Sequence, residues 1–144
     1  MKKAEMVSSL QKLFVPALRE RGFKGSLPHF RRPTVDRIDL LTIQFDKWGG
    51  GFVIEISNCA PEGIVMSWGK HIPPSRVRAW DVNPKHRPRL GSLKRGEHGH
   101  WFRFDGWRRW KGTDSVAKEA VSYLQEAEQW WLAAPQWWKN TADG

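Results

Sequence analysis

Residues 99–112 read GHWFRFDGWRRWKG, a stretch holding three tryptophans, two phenylalanines and three arginines. Indole faces stack on flat or apolar groups, and guanidinium groups pair with carboxylates and phosphates in a fixed fork. Single-stranded nucleic acid is held by such a set, with rings against the bases and cations along the backbone. Trp and Arg also dominate the energetics of protein–protein contacts. A third use is internal, with arginines lying over tryptophans on the protein's own sheet. With the cations just upstream, the candidate partner-binding residues are Arg87, Arg89, Lys94, Arg95, Trp101, Arg103, Trp107, Arg108, Arg109, Trp110 and Lys111.

Other chemistry is thinner. Glu97, His98 and His100 are the densest group of potential metal ligands, but zinc needs further ligands and nothing at ligand spacing supplies them. Cys59 follows an apolar run, where a cysteine is more often a small buried hydrophobe than a nucleophile. Asp36, Asp39, Asp46 and Glu55 flank a predicted hairpin and read as solvated ends. Gln44, in the middle of a strand, needs partners if buried, as structural glue or as the polar floor of a pocket. Gly49–Gly51 is not followed by a helix, as phosphate binding requires, so it reads as a turn. No catalytic, metal or cofactor site is expected from these residues.

The formal charge is +9, unevenly spread. Residues 59–112 hold 12 Lys/Arg against 4 Asp/Glu, whereas residues 113–144 hold 2 against 5. A basic middle segment favours phosphates or an acidic protein as partner. Paired tryptophans at 130–131 and 137–138 suit a membrane interface, but their acidic surroundings argue against anionic lipid. The lone cysteine rules out an internal disulfide, and no stretch reads as a secretory signal or a membrane span. A cytoplasmic protein is expected.

Elements must position these side chains. Met6, Leu10, Leu13, Phe14, Ala17 and Leu18 form a helical stripe over residues 5–21, with Pro16 as a kink or restart and Gly22 as the stop. Residues 27–32, with Pro28, suit an edge strand. Residues 38–45 and 52–57 alternate, with Leu41, Ile43, Phe45, Phe52, Ile54 and Ile56 inward and Thr42, Gln44 and Glu55 outward. Residues 64–68 suit a third strand of that meander, and prolines and glycines make residues 70–99 irregular. In residues 100–105, His100, Phe102 and Phe104 point one way and Trp101, Arg103 and Asp105 the other. Asp105-Gly106 is a turn from which residues 107–111 return. A second helix spans residues 114–131 with Asp114 as N-cap, ended by Pro135.

The segments LRERGFKGSLPHFRR (18–32), LLTIQFDKWGGGFVIEIS (40–57), RPRLGSL (87–93) and GHWFRF (99–104), in this order, resemble the bacterial family catalogued as domain of unknown function 4304. The matching positions are Gly22, Phe23, Phe30, Arg31, Gln44, Arg89, Leu90, Gly91, Leu93 and Trp101. Where that family commonly has a cysteine, this chain has His86 and Arg87. The resemblance implies a helix, a strand set and a closing helix, and no activity.

The expected fold is α+β: one domain over residues 1–144, its core over residues 5–131 and a short tail at 132–144. An antiparallel sheet of four to five strands carries the N- and C-terminal helices on one face. The expected function is a non-catalytic binding module with a basic Trp/Arg surface for an acidic protein. Its rivals are single-stranded nucleic-acid binding and an enzyme with an unrecognised pocket.

Overall fold

The computed structural model of the chain describes residues 2–91, 100–105 and 112–139. The N-terminal stripe forms in three pieces: α1 (Lys2–Ser9), a π-turn (Leu10–Phe14) and α2 (Val15–Glu20). The wider turn accommodates Pro16. The Val15 amide reaches back to the Leu10 carbonyl, and Pro16 falls in the opening turn of α2, where its missing N–H costs least. Met6, Leu10, Phe14, Ala17 and Leu18 remain on one buried face. Gly22, at φ +90°, ends α2 in a Schellman motif: its amide donates to Arg19, and that of Phe23 to Leu18.

Five strands follow in one antiparallel sheet: β1 (Lys24–Ser26), β2 (His29–Pro33), β3 (Ile38–Phe45), β4 (Gly51–Cys59) and, after four smaller elements, β7 (Phe102–Arg103). Their order is β1-β2-β3-β4-β7. The strand expected over residues 27–32 is corrected. Leu27 and Pro28 lie in the turn after β1, and β2 is internal, paired on both sides, so β1 is the edge. The Pro28 carbonyl still accepts from the Ile43 amide, extending the ladder without asking proline for a donor.

One face carries Phe30, Leu41, Ile43, Phe52, Ile54, Ile56, Phe102 and Phe104 against the helices. The chain ends in α3 (Thr113–Ser122), α4 (Leu124–Ala133) and a short 3₁₀ turn (Trp137–Lys139), so the helix expected over residues 114–131 is broken at Tyr123. Its N-cap is Gly112 and not Asp114. Asp114 lies in the first turn of α3, accepting from Ser9 Oγ and Lys12 Nζ at 2.7 Å each and so tying α3 to the N-terminal helix.

The second face departs from expectation. Thr42 and Glu55 do not look onto water, because residues 60–91 cross over them. Ile38, Leu40 and Cys59 build a second core there with Ile64, Val77, Ala79 and Val82. The central strands are therefore buried on both sides, which hides the alternation. Residues 64–68 do not extend the meander. β5 (Ile64–Val65) pairs only with β6 (His71–Ile72), as a separate two-stranded sheet. Two 3₁₀ turns (Ala79–Asp81 and Pro84–His86) follow, and residues 88–90 then run along β4: Ile56 donates to the Pro88 carbonyl and Leu90 to that of Ile54. No helix among the described residues is long and apolar enough to cross a membrane.

Asp39 also corrects the sequence reading, since it is fully buried. Arg32 donates to its Oδ2 from Nε and Nη2 at 3.0 and 2.8 Å, and Arg37 Nε to its Oδ1 at 2.6 Å. Arg32 also bonds Glu128 of α4 and lies over the rings of Phe23 and Trp131. Truncating it removes a cation from beside a buried carboxylate, at a cost of about 3 kcal/mol. Arg32→Ala is therefore expected to lower the urea unfolding midpoint with little change in slope, and Arg32→Lys to recover part of the loss.

Candidate functional site

The candidate interface is built outward from Glu55. This residue sits mid-strand in β4 on the face opposite the phenylalanines and keeps only 5% of its surface. A carboxylate so placed needs cations, and the segment crossing the sheet brings two. Arg87 Nε stands 3.6 Å from Glu55 Oε1, and Arg89 Nε 3.6 Å from Oε2. Arg-Pro-Arg spacing on extended backbone sends both arginines to the same side. Arg87 is also held by the carbonyls of Trp80 and Val82, each 3.0 Å from Nη1, which fixes that end of its guanidinium on the crossing segment. Neither Glu55 Oε1 nor Arg87 Nε has a hydrogen-bond partner among the described residues, which makes their 3.6 Å contact an ion pair without a hydrogen bond.

Arg89 reaches further. Its guanidinium lies 5.7 Å from the centroid of the Trp101 ring, and that of Arg103 lies 5.8 Å from the same ring. Trp101 thus contacts two cations and remains 37% exposed. Phe102 and Phe104 turn the other way into the core, and β7 holds the alternation by pairing Phe102 with Phe52 and Arg103 with Gly51. The glycines of the β3–β4 turn let the outer set settle. A Cβ at Gly51 would come within 3.4 Å of the Trp101 ring and 3.3 Å of Arg103 Cδ. One at Gly50, at φ +87°, would collide with the Asp105 carboxylate.

The other sequence candidates are distributed as follows. Lys94, Arg95, Trp107, Arg108, Arg109, Trp110 and Lys111 lie outside the described residues, as do the turn at Asp105-Gly106 and the return of residues 107–111. Gln44 is exposed near the end of β3 and is neither buried glue nor the floor of a pocket. Glu97 and His98 also lie outside the described residues, whereas His100 stacks on Tyr123 and faces Glu119 at 3.5 Å. Among the described residues, no three His, Cys, Asp or Glu stand close enough together to hold a metal ion. Sequence reasoning missed Glu55 as the anchor of the arginines. The signal was a lone carboxylate inside the apolar run FVIEIS.

With this geometry in place, the comparisons fall into context. The description of one known family, Domain of unknown function (DUF4304), matches residues 14–142, nearly the whole chain. The chain belongs to that family. No curated protein and no solved structure matches it.

Cys59 bears on reactivity. It is buried in the second core, and its thiol is pushed up to about 12, first by burial and then by Asp81, Glu62 and Asp39. A thiol so held is a poor nucleophile at neutral pH. The unfolded chain releases this proton near the ordinary value of 9.0, before the folded one does. The group's contribution to stability is therefore intact below pH 9.0 and is lost as pH rises from there toward about 12. Native protein is expected to react slowly with a thiol reagent at mildly alkaline pH and promptly once denatured. Cys59→Ala should flatten the alkaline decline in unfolding midpoint relative to the parent.

Proposed function

We propose that this member of the family is a non-catalytic binding module that receives an acidic protein on the surface formed by Arg89, Trp101 and Arg103. The observation that supports it is the half-exposed Trp101 flanked by two guanidiniums. Buried aromatic–arginine anchors surrounded by less critical contacts are the usual energetic centre of a protein interface. Glu55 and the glycine floor fix this group in place before a partner arrives, which lowers the entropy lost on binding. The positive charge of residues 59–112 favours an acidic partner and faster encounter. A cytoplasmic setting belongs to the same reading, supported by the single unpaired cysteine.

Single-stranded nucleic acid is the second reading, favoured by the same indole beside two cations. The two differ in their response to salt and to truncation. A fluorescein-labelled Asp/Glu-rich peptide and a labelled oligo-dT strand, each titrated at low and at physiological salt, separate them. The peptide is expected to bind, and Trp101→Ala or Arg103→Ala to weaken it by about thirtyfold at unchanged fold. Tighter binding of the oligonucleotide, collapsing steeply with added salt, would replace the acidic-protein reading by the rival.

A further inference from the structure

A second concavity lies beyond the end of the Trp101 surface, where α4 and the 3₁₀ turn at Trp137–Lys139 meet the far half of β4. It encloses about 280 Å³, near the lower limit for small-molecule sites. Its walls are rings: Trp130, Trp137, His86 and three prolines, among them Pro135. His86 stacks parallel on Trp137 with centroids 5.2 Å apart, so that wall is braced. Among the described residues, Lys85 is the single Lys or Arg lining the groove, and no acidic side chain lines it.

The groove also holds an unmet hydrogen-bonding need. Asn58 is 1% exposed, and its Nδ2 donates to the Pro135 carbonyl at 3.3 Å. Its backbone carbonyl accepts from Trp137 Nε1 at 2.9 Å. The side-chain Oδ1 has no donor among the described residues, and neither does Oε1 of Gln136, beside Pro135. Buried acceptors left without donors are uncommon in folded proteins, and Asn58, which carries one, lines this small aromatic cleft, with the second on the chain neighbour of its Pro135 wall.

We propose that this groove is a ligand site for a planar aromatic anion carrying one N–H or O–H donor. The ring packs against the indole and prolyl walls, the donor answers the Asn58 amide oxygen, and the anionic group meets Lys85 at the mouth. The ring's source is either a free aromatic acid or an aromatic side chain of an acidic peptide. The site is separate from the Trp101 surface and does not depend on it.

Indole-3-acetate, which carries all three features, is the probe. It is titrated into the full chain while the indole N–H signals of Trp130 and Trp137 are followed by NMR, assigned through Trp130→Phe and Trp137→Phe. Both signals are expected to shift saturably, in the parent and in Trp101→Ala alike. Indole, lacking the carboxylate, and the parent probe with Lys85→Ala should each bind about fivefold more weakly. The N-methylated probe, lacking the donor, should bind about tenfold more weakly. A Trp-containing acidic peptide is compared with its Trp→Ala counterpart as a competitor. Displacement by the Trp peptide alone assigns the ring to a partner chain, and no displacement by either assigns it to a free acid; both outcomes support the site. Unmoved Trp130 and Trp137 signals with probe and peptide, or binding indifferent to carboxylate, donor and Lys85, overturn it.

Discussion

Burial of β3 and β4 on both faces is the constraint on which the rest of the structure depends. A strand covered on one side can send its polar residues to water, whereas one covered on both must have them answered from within. Two carboxylates fall under this rule. Asp39, on the helix face, is answered by Arg32 and Arg37. Glu55, on the opposite face, is answered by Arg87 and Arg89. In each case one arginine also lies over a tryptophan: Arg32 over Trp131, and Arg89 over Trp101. The two faces thus repeat one solution, a buried acid flanked by cations with an indole against one of them. The outcomes differ because Trp131, carried on α4, packs into the core between that helix and the sheet, while Trp101 stays partly open.

This constraint explains what the sequence disclosed. The helix-facing core was legible because the helical stripe keeps its 3.6-residue period and the odd–even pattern of Phe52, Ile54 and Ile56 keeps its period of two. Residues 100–105 were legible for the same reason, since β7 is short and covered on one face only. The second core was not. Its members Val77, Ala79 and Val82 come from a proline-rich segment without periodicity, and they pack only because residues 60–91 cross the sheet. Thr42, Ser57 and Glu55 look like surface residues by spacing and become interior residues by topology. Pro16 marked a disturbance in the first helix, yet sequence does not distinguish a kink from the π-turn that resolves it.

The tryptophans divide by the same logic. Trp131 is buried and donates its indole N–H to the Ser57 carbonyl at 2.8 Å, and Trp137 does the same to Asn58 at 2.9 Å. Along β4, then, residues 51–52 pair with β7, residues 54–56 meet residues 88–90, and two indoles bond the last carbonyls. A strand whose neighbours are short needs such covering if it is not to recruit another chain. Indole supplies a donor and a hydrophobic plate together, which suits it to this task. Part of the unusual tryptophan content therefore serves the fold and gives no information about a partner.

What remains are indoles that the fold does not consume, and they are not equivalent. Trp48 and Trp68 are more exposed than Trp101, but both sit in turns, and the charged ring contact of Trp48 is its chain neighbour Lys47. Trp101 is held between arginines from two different segments, one anchored by Glu55 and the other by the pairing of β7 with Gly51. A ring fixed in this way presents one orientation, whereas a ring at a turn tip samples many and loses more freedom when captured. Exposure alone would rank Trp48 first. Preorganisation ranks Trp101 first, because the interactions that hold it are already made by a sheet that cannot relax without exposing a buried acid.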